Sequence, residues 1–255
     1  MSELWFVGLG LDDERGLSRR ALEVLSRSEV FAEEYTAVAA PGSMDRLSQE
    51  LGRPIVTLAR GALEGEAPVL AALGRSASVA LLAVGDPFAA TTHVALRLAA
   101  ERAGHTWSYL PNASILSAAA GFLGLMHYRF GRPVSLPLPD PRFSPTSPLE
   151  RIAENRRAGL HTLLLLDLAP ERGEFLLAGR ALALLRERDP DGKVVGDDEE
   201  LAVAARVGRP EARGYVGTFA RLVGRDFGPP MHCVVVLAPT LHFEEDAALA
   251  RFRKL

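Results

Sequence analysis

Residues 81–93 read LLAVGDPFAATTH. The run Val79–Val84 that opens them is nearly all apolar. That is expected of a parallel strand covered on both faces. Gly85 lets the chain turn sharply after the strand. Asp86 then stands at the strand's carboxyl end, where open α/β sheets keep their ligands. Pro87 stiffens the turn, and Ala89 and Ala90 leave room for a group to approach the main chain. Thr91 or Thr92 is placed to cap a helix over His93–Arg102. Two readings stand side by side. One is a well-made strand-to-helix connection. The other is a pocket floor, with an anionic side chain for a cation or hydroxyl and exposed main chain for a flat ring.

The same rhythm extends in both directions. Leu4–Val7, Val30–Ala32, Ile55–Leu58 and Thr106–Leu110 are short strand-like runs bounded by Gly or Pro. Ser18–Ser28, Pro68–Leu73 and His93–Arg102 carry helical spacing between them. This βαβα order predicts an α/β fold with an open, mostly parallel sheet. The second half changes character. Ile115–Phe130 reads as a helix rich in Ala and Gly, and Arg132–Pro148 holds six prolines, which predicts an extended loop or edge segment. Leu160–Leu168 reads as a strand, Phe175–Arg188 as a helix, and Val194-Val195 as a short strand. Asp197 with Glu200 resembles a capping box opening a helix over Leu201, Val203 and Ala204. Cys233–Leu237 is a final strand. The expected division is residues 1–112 and 113–255, two α/β domains.

The 255 residues suit one large domain or two ordinary ones, and 48% apolar content is enough to fill a core. A formal charge of -3 implies no general affinity for nucleic acid. The single cysteine, Cys233, excludes an internal disulfide and reads as a small buried hydrophobe. No signal peptide and no membrane-length apolar run are visible, so a soluble cytoplasmic protein is expected.

Among the motifs, Gly8-Leu9-Gly10 follows a strand as a dinucleotide loop would, but position 13 is Asp rather than a third glycine. Asp12, Asp13 and Glu14 would repel a pyrophosphate. Glu33 and Glu34 lie where a ribose-binding acid could sit, which keeps a nicotinamide reading open. Pro111-Asn112-Ala113-Ser114-Ile115 precedes a small-residue helix, Leu160–Asp167 ends a strand on a carboxylate, and Pro229-Pro230-Met231-His232 leads into the last strand. A single His entering a strand is ordinarily a satisfied structural one. The six histidines form no His-x-His or His-x-x-x-His pair, so no metal is expected. Gly-x-Ser-x-Gly and P-loop motifs are absent.

Taken together, these words resemble the diphthine synthases of the tetrapyrrole-methylase superfamily. The matching words are Gly8–Leu11, Ala32–Thr36, Gly85-Asp86-Pro87 with Ala90–His93, and Asn112–Ile115. Gly124-Leu125, Tyr128, Phe130-Gly131, Asn155, Leu160–Leu163, Leu165–Asp167, Ala205–Gly208 and Leu241–Phe243 follow in order. The chain departs from the pattern at Phe88-Ala89, where an aliphatic pair is expected, at Met126 in place of Gln, and at Ala37 in place of Ser. The resemblance implies a class III methyltransferase, two α/β domains with an S-adenosyl-L-methionine (AdoMet) cleft between them, and a homodimer. It implies N-methylation of the aminocarboxypropyl-histidine of translation elongation factor 2, giving diphthine on the way to diphthamide. By motif position the cofactor contacts would be Leu11, Asp86, Ala89, Ser114, Ile115, Leu166, Val207 and His232. No membrane or nucleic-acid partner is implied.

Methyl transfer from a sulfonium is an in-line displacement that requires alignment and a dry cleft. An amine acceptor must lose a proton before it attacks. Asp167, His161 and His93 are candidate bases by position, and no catalytic residue is assigned. The proline-rich stretch 132–148 is a candidate surface for the protein substrate. The alternatives are a methyltransferase acting on a small tetrapyrrole, and a nucleotide-sensing module that binds elongation factor 2 without modifying it.

Overall fold

The computed structural model describes residues 2–140, 142 and 145–253. It divides into two compact units, residues 1–115 and 116–255. Residues 141, 143 and 144 of the proline-rich stretch lie outside the described residues.

The first unit is a doubly wound sheet. Its strands are β1 (Glu3–Gly10), β2 (Glu29–Glu33), β3 (Ile55–Leu58), β4 (Ser78–Val84) and β5 (Thr106–Leu110), in the order β3-β2-β4-β1-β5. All pairs are parallel. Successive residues point to opposite faces, so each buried strand feeds two cores. Trp5, Val7, Ala80 and Leu82 pack with α1 (Arg19–Arg27) and α2 (Ser43–Leu51). Leu4, Phe6, Val79 and Leu81 pack with α3 (Arg60–Glu64), α4 (Ala67–Leu73) and α5 (Val94–Arg102). The chain leaves β1 over β4 and leaves β4 over β1. The tips of β1 and β4 are therefore the topological switch point, where this kind of sheet binds ligands.

The second unit holds a mixed sheet. After α6 (Ile115–Leu123) come β6 (Val134–Leu136), α7 (Ser147–Arg157) and β7 (Thr162–Leu166), then the small hairpin β8 (Leu168–Ala169) and β9 (Glu174–Phe175). The chain continues through α8 (Ala178–Arg188), β10 (Glu200–Ala205), β11 (Arg213–Thr218), α9 (Phe219–Leu222), β12 (His232–Val236) and α10 (Phe243–Leu249). The order is β11-β10-β12-β7-β6, antiparallel except for β6 on β7.

The helix expected from Asp197 is β10. Leu201 and Val203 are fully buried, and β10 pairs with β11 and β12. Burying two such side chains contributes about 1.5–3 kcal/mol each, against about 1 kcal/mol for a cap. Burial wins, and Asp197 instead pairs with Arg186. Val194-Val195 forms a bend, its amides donating to the Asp189 carboxylate at 2.8 and 3.0 Å. The helix expected over 115–130 stops at Leu123, because Gly124 takes a left-handed φ of 77°. Within the proline-rich stretch, β6 is a three-residue edge strand.

Candidate functional site

Three of the sequence words meet in the first unit. Gly10 and Gly85 pair across the strand tips, with N–H···O distances of 3.1 and 2.7 Å. Both are left-handed, at φ 90° and 81°, which glycine adopts without strain. The glycine pair thus serves close approach of two strands rather than a phosphate loop. Asp13 caps the following turn, its Oδ1 accepting from the Arg15 amide at 3.1 Å.

Asp86 stands just past β4, partly exposed. Its Oδ1 accepts from the Phe88 amide at 2.9 Å. Its Oδ2 accepts from the Asn112 amide at 3.2 Å and from the Tyr109 hydroxyl. A carboxylate offers about four lone-pair sites, so these three donors orient it and leave room for one more. Ala89 donates to the Asp86 carbonyl at 3.1 Å, which closes the loop beside it. Leu11, Ser114 and Ile115 are half-buried, and the Asn112 contact brings the last two to the same edge as Asp86.

Phe88, at a departure from the family pattern, packs tilted against Phe6 and edge-on to Tyr109, with ring centroids 4.7 and 5.0 Å away. It thereby supports the tyrosine that holds Asp86. Neither Thr91 nor Thr92 caps α5. His93 occupies the N-cap position without a side-chain cap bond, and Thr91 Oγ1 donates to the Pro87 carbonyl at 2.6 Å.

In the second unit, Leu166 ends β7, Val207 follows β10 and His232 begins β12. Ala205 lies opposite His232, and Cys233 opposite Leu165, so these three residues share one end of the sheet. His232 Nδ1 accepts from the Ala178 amide at 3.2 Å, which places the ring proton on Nε2. Burial, aided by the charge of Arg206, lowers its pKa to about 4, so the ring is neutral at physiological pH. Arg206 is buried in a left-handed conformation, φ 53°, and donates to the Phe227 carbonyl at 3.2 Å and to that of Pro229. Nothing in the residue types announced this buried arginine.

Two candidate bases do not serve. His161 is fully buried. Its Nδ1 accepts from the Ala238 amide at 2.9 Å and its Nε2 donates to Glu245 at 3.1 Å. Glu245 also accepts from the Met126 and His242 amides and from Arg129, so this is a structural hub. His93 is likewise buried with both ring nitrogens engaged. Asp167 is half-buried and its Oδ2 accepts from the Leu138 amide at 3.2 Å. Among the described residues no cluster of His, Cys, Asp and Glu is arranged to hold a metal ion. No helix among them is long and apolar enough to cross a membrane.

Residues 3–223 match the family model of the tetrapyrrole (corrin/porphyrin) methylases. A diphthine synthase from Methanothermobacter thermautotrophicus is 40% identical over 248 residues, which cover 95% of this chain and 92% of that one. The chain belongs to the diphthine synthases, within the tetrapyrrole methylase family. A diphthine methyl ester synthase from Aspergillus fumigatus is 36% identical, with 98% of this chain and 93% of the other covered. A diphthine synthase crystal structure superposes with a TM-score of 0.88 at 37% identity, covering 98% of this chain and 96% of that one. The α/β fold is that of the diphthine synthases, and the chain is a methyltransferase of the diphthine synthase family.

Proposed function

We propose that this methyltransferase uses AdoMet to methylate the aminocarboxypropyl-histidine of translation elongation factor 2, working as a homodimer in the cytoplasm. The observation that carries the cofactor reading is the Asp86 loop at the switch point, a preoriented carboxylate with a free acceptor position. That acceptor suits AdoMet, whose ribose hydroxyls and ammonium group are donors. Bound AdoMet supplies an electrophilic methyl group on sulfur. Leu11, Asp86, Ala89, Ser114, Ile115, Leu166, Val207 and His232 are the proposed cofactor contacts, within the proposed domains 1–112 and 113–255. A neutral His232 adds no positive charge against the sulfonium. Asp167 remains available to take the acceptor's proton, its carboxylate at the end of β7.

The acceptor atom has two readings. The name diphthine synthase, carried by the archaeal relative, points to the amine. The Aspergillus relative is named for a methyl ester, which points to a carboxylate. We favour the amine, since the archaeal relative is the more similar. The test is mass spectrometry of elongation factor 2 carrying the precursor, after reaction with labelled AdoMet, with and without mild alkali. Alkali-stable label on the factor is expected. Label lost in alkali favours the ester. Label absent from the factor but present on a porphyrinogen overturns the proposal for a small-molecule methylase.

A further inference from the structure

We propose that His93 is a positioning residue for the cofactor loop: its imidazole holds the Pro87 carbonyl and thereby fixes Asp86 and Ala89. The inference rests on the reading of that loop as a cofactor wall.

His93 is 2% exposed, so it can act on a ligand only through what it touches. Its Nδ1 lies 2.6 Å from the Pro87 carbonyl oxygen. A carbonyl only accepts, so Nδ1 carries the proton and Nε2 is an acceptor. Nε2 faces the Tyr35 hydroxyl at 3.4 Å, with Glu33 Oε1 4.0 Å away. Glu33 is itself fixed, accepting from the Tyr35 and Thr36 amides at 3.1 and 3.2 Å and from Thr36 Oγ1 at 2.6 Å. The Pro87 carbonyl thus sets the tautomer, and the Tyr35 hydroxyl just past β2 is placed to donate to the Nε2 that is left as acceptor. Burial pushes the imidazole pKa down, which keeps the ring neutral, and the bond to the Pro87 carbonyl keeps its proton on Nδ1.

The loop needs such a grip. Pro87 has no N–H of its own to anchor it. Ala90 sits at φ 59°, a left-handed conformation that a residue with a Cβ resists. The word Ala-Thr-Thr-His is thereby explained. Its Thr91 and His93 both donate to one carbonyl, and that carbonyl adjoins the proposed cofactor carboxylate.

The test compares AdoMet affinity, by titration calorimetry, and steady-state constants for the full chain and its variants. His93→Asn presents an amide N–H near the place of Nδ1, whereas His93→Gln carries its amide further out and His93→Ala carries none. Ala and Gln should each weaken AdoMet binding by about tenfold and raise its KM, with kcat at saturation little changed. Asn should recover most of the affinity. A folded Gln or Ala variant that binds AdoMet as the wild type does overturns the proposal, as does an Asn variant no better than Gln. Should Ala not fold, the Asn and Gln pair decides alone. A wild-type chain that binds no AdoMet overturns the cofactor reading instead, before any variant is made.

Discussion

The Asn112 side-chain amide donates to the Gly8 carbonyl at 2.9 Å and to the Gly16 carbonyl at 3.0 Å. One side chain after β5 thus ties down the end of β1 and the turn beyond it. The fit is close, for a Cβ on Gly8 would stand 2.7 Å from the Asn112 Cβ and 2.8 Å from the Gly85 oxygen.

Asn112→Ala leaves two carbonyls without that donor and should cost about 1–3 kcal/mol of stability. Gly8→Ala forces the strand tips apart, at about 1–3 kcal/mol. Urea denaturation measures both, and both variants should lose AdoMet affinity because the strand tips shift.

Removing the Asp86 carboxylate, as in Asp86→Ala, should weaken AdoMet binding with little loss of fold. Tyr109→Phe keeps the carboxylate and removes one of the two donors on its Oδ2. That bond contributes about 0.5–1.5 kcal/mol, so AdoMet affinity should fall by about two- to twelvefold. Burial and the Asp86 carboxylate raise the Tyr109 pKa above that of an ordinary tyrosine. In Asp86→Asn, ultraviolet titration should show one tyrosine ionising at lower pH than before. Calorimetry showing equal affinity for wild type and Asp86→Ala would remove Asp86 from the site.

The histidines set an acid limit. An unfolded histidine takes its proton near pH 6.5, whereas folded His232 resists it down to about 4. In that window the unfolded chain binds the extra proton. Stability from this residue is therefore complete above the unfolded value and falls with pH, by about 3 kcal/mol at the acid end. His161 and His93, lowered mainly by burial, act in the same direction. Urea midpoints should drop between about pH 7 and about pH 5, and His232→Gln should flatten the slope.

Cys233 is 2% exposed, and burial pushes its thiol up to about 12. A disulfide reagent at neutral pH should leave the folded chain unmodified and label one thiol after denaturation. Rapid labelling of the native chain would contradict the buried setting in β12.

The strands of the first unit were legible because most are short apolar runs stopped by Gly, Pro or a charge, as Val79–Val84 is by Gly85, and β5 is an aromatic-rich run stopped by Pro111. The second unit hid more. In β10 the alternation of Leu201 and Val203 with alanines is faint, and the Asp197–Glu200 pair imitates a helix start. In β11, Gly214 and Gly217 interrupt any apolar pattern. The helix α7 starts at Ser147-Pro148, inside the prolines that argued for a loop. At the site, Asp86 was visible as a carboxylate at a strand end. The grips on Pro87, Gly8 and Gly16 were not, since they close on main-chain carbonyls, which every residue has. Arg206 was hidden for the same reason: the described groups it holds include the carbonyls of Phe227 and Pro229.

The rim of the second sheet carries one more consequence. The strand β6 is three residues long and is framed by Pro133 and Pro137. A foreign β-segment arriving there finds too few free amides to zip onto, since proline supplies none. Strand-by-strand growth into fibrils is therefore blocked along that border, and concentrated stocks should resist aggregation by that route.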